Sequence, residues 1–373
     1  MTRRIWITLV LTFILLPAAA TRSSAQQAQF QVSVDLVQLN VAVTDNKGNY
    51  VTGLKPSDFI ITEDGVQEKL AFFGEGNGPA RSVVDPAQTQ DDSSKAQASD
   101  DPSKPANASF VPHPEVAGNP EGGGSTTDSL NAAIAGSNVF ILFDTSNYMY
   151  RGFVFAQDAI SDFVRSLEKA DKIAFYSYSR DLSRASSLTA DRGEVVRGVR
   201  TTVAGDDAAL YNSLLLTVKD AAQCMGRKVV VVFSNGPDNS SVVPPEDVAE
   251  LAQSAGIPIY MISTREARLE PVSTAVFERM TAATGGKAYF SKNWRDERKA
   301  FESIRDDLGH LYSLSYYPKA NSNHGWRTIA VKLTGDRKNL HVRTRNGYRP
   351  QPNRYPGGTV AEVSTEKPSS ASQ

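Results

Sequence analysis

The sequence predicts an α/β domain with a doubly wound, mostly parallel sheet, inserted between two flanking segments that pair into one antiparallel β-sandwich. Two observations predict the domain: short apolar runs alternate with amphipathic helical patterns, and polar or acidic loops follow those runs directly. A third predicts the sandwich. Strand-like alternation occurs at both ends of the ordered chain, and neither end alone carries enough strands to bury a core.

The elements follow in order. Arg3 and Arg4 precede an apolar run from Ile5 to Leu16, and the small residues through Ala25 supply a cleavage region. Residues 1–25 therefore read as a signal peptide. The run is shorter than the roughly 20 residues that cross a bilayer, so the expectation is an extracytoplasmic protein, periplasmic or secreted, with no stable membrane insertion after cleavage. Residues 30–74 form the first half of the sandwich. Val32, Val34 and Leu36 alternate, then Leu39, Val41 and Val43, and the phase slip near Val37 suggests a bulge. Glu63-Asp64-Gly65 marks a hairpin turn, where a carboxylate is expected to be solvated or capping. Residues 75–134 are dominated by Gly, Pro, Ser, Ala and Asp, a composition that cannot offset its own ordering entropy, and read as a disordered linker.

The α/β domain spans 135–310. Val139–Phe143, Lys172–Tyr178, Lys228–Phe233, Ile257–Ile262 and a weaker run at Lys287–Phe290 are its strands, apolar throughout as strands buried on both faces should be. Ala156, Ile160, Phe163, Val164 and Leu167 recur at helical spacing. Ala209–Cys224, Pro245–Ala255, Val272–Ala283 and Arg295–Leu311 are further helices, the second opened by a Pro-Pro pair and closed by Gly256. Helices on both faces imply that this domain stays folded as a fragment of residues 137–310. After it, Tyr312–Pro318, Trp326–Leu333 and Leu340–Thr344 alternate as strands and complete the sandwich (311–349). Residues 350–373 repeat the character of the linker and read as a disordered tail.

Composition excludes several functions. The 40 basic and 41 acidic residues nearly cancel, which leaves no electrostatic footprint for nucleic acid. The single cysteine, Cys224, permits no internal disulfide and sits on a helical pattern as a small core residue. None of the four histidines is paired at metal-ligand spacing, and there is no Gly-x-Ser-x-Gly elbow, phosphate loop or Cys-His arrangement. The chain reads as a non-enzyme, with an enzyme of unknown type kept as the most distant class.

Ligands of such sheets bind beyond the carboxyl ends of the strands. Three loops lie there: Asp144-Thr145-Ser146-Asn147-Tyr148, Asp206-Asp207-Ala208-Ala209-Leu210-Tyr211, and Phe233-Ser234-Asn235-Gly236-Pro237-Asp238. Together they resemble the von Willebrand factor A domain over about Asn138–His310. That family's metal-ion-dependent adhesion site takes Asp-x-Ser-x-Ser, a Thr and an Asp from these places. Asp144 and Ser146 match the first two ligands, whereas Tyr148, Ala208 and Asn235 replace the second Ser, the Thr and the Asp. Magnesium wants hard oxygen ligands with carboxylates to offset its charge, so the resemblance implies a degenerate site, no resident cofactor, and a capping role for Asp144. Should magnesium bind at all, Asp144, Ser146 and Asp207 are left to hold it.

The flanks carry a second resemblance. The order of a valine-rich strand, Thr52-Gly-Leu, Asp58-Phe, Glu63-Asp-Gly, a Pro-rich linker, the A-type domain, Tyr316-Tyr-Pro and Gly347-Tyr is similar to the von Willebrand factor A-related acidobacterial domain family. This second resemblance implies an exported protein of largely undefined role, and the leading expectation is a module that binds a protein or peptide around Asp144, Ser146, Tyr148 and Asn235. The alternative is a structural scaffold component of an envelope assembly. Exposure of Tyr148, Met149, Tyr150 and Phe153 would favour binding, and their burial would favour the scaffold.

Overall fold

The computed structural model describes residues 36–76, 78, 80–83, 137–167, 171–264, 269–335 and 337–350. The expected signal peptide, the tail beyond 350 and all but the first few residues of the expected linker lie outside them. All described residues fall within one compact unit.

The N-terminal flank supplies β1 (Val37–Asp45), β2 (Phe59–Glu63), β3 (Val66–Glu68), β4 (Leu70–Glu75) and β5 (Arg81–Ser82). The α/β domain follows as β6 (Ser137–Asp144), a 3-10 turn (Asn147–Gly152), α1 (Phe153–Ser166), β7 (Lys172–Tyr178), β8 (Leu182–Thr189), α2 (Arg192–Arg200), α3 (Leu210–Ala222), β9 (Arg227–Phe233), α4 (Pro245–Ala255), β10 (Ile259–Ser263), α5 (Pro271–Thr284), β11 (Ala288–Phe290) and α6 (Trp294–His310). The C-terminal flank is β12 (Tyr312–Tyr316), β13 (Arg327–Leu333), β14 (Leu340–Arg343) and β15 (Gly347–Tyr348).

The domain sheet has the order β11-β10-β9-β6-β7-β8. Five strands are parallel, and β8 runs antiparallel along β7. Val139–Phe143 and Val229–Phe233 are buried throughout because helices cover both faces. On one face α1, α2 and α6 contribute Ile160, Val195 and Ile304 to the core. On the other α3, α4 and α5 contribute Leu214, Val248 and Phe277. Strand β8 and helix α2 are not among the expected elements. In β8 only Ser186 is buried, so an edge strand of Ser and Arg carries no hydrophobic period to read.

The flanks interleave in two antiparallel sheets, β14-β1-β12-β4-β5 and β15-β13-β2-β3. Strand β12 lies between β1 and β4, and β13 pairs with β2. Side chains of both sheets share one cluster, with Leu39, Val41, Leu314 and Tyr316 from the first and Phe59, Ile61 and Ile329 from the second.

Several expectations shift here. Residue 75 does not begin the linker, since Glu75 ends β4 and Arg81 and Ser82 pair with Phe73 and Phe72. Val32 and Val34, the first half of the expected phase slip, lie outside the described residues, whereas Leu36 is exposed and the inward set of β1 is Val37, Leu39, Val41 and Val43. Ala42, between these, is buried as well and joins the core of the α/β domain. That strand is sandwiched on both sides. Glu63 is 2% exposed, in the flank core rather than in solvent, whereas Asp64 caps as expected, accepting the Thr328 amide at 2.8 Å. Cys224 is half-buried, and burial pushes its thiol above the ordinary range.

Candidate functional site

The site is built from loops that leave the carboxyl ends of β6, β9 and β10. Asp144 ends β6 with no exposed surface. One carboxylate oxygen accepts the Ser146 amide at 2.9 Å, which turns the chain immediately after the strand. The other accepts the Ser234 hydroxyl at 2.7 Å, and Ser234 in turn accepts from the Tyr178 hydroxyl at 3.1 Å. Burial pushes the Asp144 carboxyl up, and the donors around it oppose that shift. The Ser146 hydroxyl lies beside the same carboxylate, buried and without a hydrogen bond of standard geometry.

Asn235 is a staple. Its amide nitrogen donates to the Tyr148 carbonyl at 2.9 Å, while its oxygen accepts the Thr264 amide at 2.9 Å and the Thr264 hydroxyl at 2.5 Å. It therefore joins the loops after β6, β9 and β10 through one side chain. Ala208 is fully buried, and its backbone pairs with Asn239 and Ser240 of the loop after β9. Asp238 accepts the Tyr211, Ser240 and Ser241 amides. Asp207 pairs with Arg180 at 3.4 Å.

These residues do not fit a magnesium ion. Both oxygens of Asp144 are engaged by protein donors, Ala208 offers no side-chain oxygen, and the Asn235 oxygen is taken by Thr264. Asp207 is committed to Arg180, and one neutral hydroxyl, that of Ser146, remains. Among the described residues no group of three or more His, Cys, Asp or Glu could hold a metal. Accordingly, millimolar magnesium or manganese should leave the thermal midpoint unchanged. Asp144→Asn keeps an acceptor for the Ser146 amide but sets a donor against the Ser234 hydroxyl, which already accepts from Tyr178 and Gly236. It should therefore lower the midpoint equally with and without metal. A metal-induced rise that Asp144→Asn abolishes would refute this reading in a thermal-shift titration.

The expected aromatic cluster divides. Tyr150 is exposed and Tyr148 partly so, but Met149 is 1% exposed and Phe153 packs against Phe143. The sequence reading missed a larger feature. The five most exposed large apolar residues among those described are Tyr150, Val203, Val242, Leu269 and Val272, each between 76% and 89% exposed. All sit at the end of the domain where the three loops meet. Hydrogen bonds tie their loops together: Gly205 to Thr145, Asn147 to Asp206, Asn239 to Ala208. A cleft of about 260 Å³ opens beside Leu269, lined also by Asn147, Tyr148, Arg151, Asn235 and Glu270. A single aliphatic residue within a polar loop is the only sequence trace such a tip leaves.

With this geometry in place, the chain can be set beside known proteins. The family model of the von Willebrand factor type A domain matches residues 138–306. Among solved structures, BatB from Bacteroides thetaiotaomicron is 16% identical over 46% of this chain and 97% of its own, with a TM-score of 0.39. A von Willebrand factor type A protein from Catenulispora acidiphila is 13% identical over 57% and 67% of the two chains, with a TM-score of 0.39. The vWF domain of the type V pili tip protein Mfa5 from Porphyromonas gingivalis is 12% identical over 46% and 94%, with a TM-score of 0.37. No curated protein matches the chain. The α/β part is thus a von Willebrand factor A-like domain.

Proposed function

We propose that this chain is an exported, non-enzymatic protein-binding module of the adhesion type, in which the metal site has degenerated and the loop tips around it make the contact. The observation that carries the reading is the exposure of Tyr150, Val203, Val242, Leu269 and Val272 on the loops at one end of the domain. Solvent-exposed apolar side chains gathered at one end of a soluble domain mark an interaction surface, because each gains free energy only when a partner covers it. Asp238 is used internally by the amides around it, and Arg180 and Asp207 offset each other as a surface pair. Contact with a protein surface or peptide therefore rests on apolar burial. The leader, the order of motifs along the chain and the interleaved flanks support membership of the von Willebrand factor A-related acidobacterial family with one β-sandwich.

The test compares proteins captured from the parent organism's envelope fraction by the full chain and by a Tyr150→Asp, Val242→Asp, Leu269→Asp variant. Partners bound by the first should be lost from the second, in the presence or absence of a chelator. Capture that the substitutions leave intact would move the contact elsewhere and favour the scaffold role.

A further inference from the structure

The end of the α/β domain opposite the loop tips holds a second arrangement that the function above does not use. Helices α4, α5 and α6 all finish there, and the last carbonyls of a helix lack intrahelical partners and carry partial negative charge. The segment Arg343–Tyr348, which runs from β14 through β15, supplies donors at the ends of α4 and α5 and an ion pair to α6. Arg343 donates to the Gly285 carbonyl and, at 3.3 Å, to that of Gly286, just past α5. The same guanidinium meets Asp307 of α6 at 2.5 and 2.6 Å. Asp307 is wholly buried and also accepts the Tyr260 hydroxyl of β10. Arg345 donates to the Gln253 carbonyl in the last turn of α4 and, at 3.0 Å, to Gln38 of β1. Asn346 accepts from the Gln253 side chain at 2.7 Å, and that side chain also donates to Ala283 in the last turn of α5.

The helix ends are shaped for this contact. Gly285 has φ 83°, and a Cβ on it would stand 2.8 Å from the Arg345 nitrogen and 2.9 Å from the Thr344 carbonyl carbon. Gly256 has φ 68°, with the Gln38 carbonyl 3.2 Å from where its Cβ would be. Left-handed caps favour glycine in any helix; here the missing side chains also let another part of the chain press flat against the helix ends. Burial works against the Arg343 charge, yet Tyr260 and Asp307 hold its pKa above the ordinary guanidinium value. Arg345 is the opposite case: burial lowers it to about 10, and its Nε has no partner. The informative substitution is therefore at Arg343.

We infer that Arg343–Tyr348 is a strap that caps the ends of α4 and α5 and pins α6 through Asp307, so that the α/β domain and the flanking sheets unfold as one cooperative unit. The inference is independent of what binds the loop tips. It makes the flanks a rigid base on which those tips are presented.

Amide exchange and thermal unfolding of the full chain test it. The slowest amides of β9 and β12 should share one opening reaction and agree in protection within about threefold. Arg343→Met strands Asp307 as a buried charge and should lower the midpoint of a single transition by roughly 5–10 °C, with faster exchange in both sheets. Should Arg343→Met fail to accumulate, Arg343→Met with Asp307→Leu removes the stranded charge; in that variant β9 and β12 should no longer agree in protection, and retained agreement would overturn the strap. Two resolved transitions in the unsubstituted chain would overturn it. So would an Arg343→Met protein in which only β14 and β15 lose protection.

Discussion

Removal of residues 36–83 is expected to abolish cooperative folding of the whole remainder, the α/β domain included. The first reason lies in the flanks. Strand β12 loses β1 on one edge and β4 on the other, β13 loses β2, and β14 loses β1. Leu314, Tyr316 and Ile329, all fully or nearly buried, would then face water. Three or more paired strands are needed for an independent sheet, and here β13 and the two-residue β15 are all that stay paired. The second reason lies at the domain boundary. Ala42 of β1 is part of the α/β core, Tyr50 packs against that core and stacks on His310 of α6 at 5.0 Å, and the Gly76 carbonyl accepts from buried Arg227 of β9. Without β1 to pair with, β14 cannot hold the Arg343 strap on α5 and α6. The sequence argument that helices cover both faces of the sheet, and that residues 137–310 therefore suffice, overlooks the helix ends. Circular dichroism melts of the truncated chain and of 137–310 should show broad, low-temperature loss of signal with dye binding. A sharp transition near that of the full chain in either protein would show the α/β domain to be self-sufficient.

How much of this was legible follows from what each element buries. Runs such as Val229–Val232 are apolar because both faces are covered, and α1 and α6 show their stripe because one face is. Their positions could be read within a residue or two. Strand β8 could not, since it buries only Ser186. At the candidate site, the substitutions Tyr148, Ala208 and Asn235 were visible as departures from a motif. Their consequences were not. Nothing in the sequence says that Asn235 bridges Tyr148 to Thr264, or that Met149 turns inward while Tyr150 stays out. Such facts depend on loops brought together by the sheet. Arg343 and Arg345 lay in an unremarkable basic stretch, because a guanidinium aimed at carbonyls leaves no acidic neighbour in sequence to announce it.

The second large effect is expected at Glu63, the residue whose role the sequence reading placed on the surface. Its side chain is 1% exposed and contacts Arg327 at 2.9 Å, the Tyr316 hydroxyl at 2.7 Å and the Tyr348 hydroxyl at 3.1 Å. Strands β2, β12, β13 and β15 meet on this one carboxylate. Burial, followed by the Glu63 charge, pushes the Tyr348 phenol up to about 12, as befits a hydroxyl donating to an anion. Glu63→Ala leaves a guanidinium that is 11% exposed, together with two buried hydroxyls, without their common acceptor. Breaking one side of a buried pair typically costs about 3–5 kcal/mol, because the surviving charge has lost both water and its partner. Glu63→Gln keeps an acceptor for the tyrosines and should lose less. Glu63→Leu with Arg327→Met removes the charged pair and should recover the part of the deficit that comes from the stranded guanidinium, while the two tyrosine hydroxyls still lack their acceptor. Urea titrations would resolve the series through the midpoint at constant slope. A loss under about 1 kcal/mol for Glu63→Ala, the level of a surface ion pair, would mean that water reaches Arg327 and that the pair does not organise the flank core.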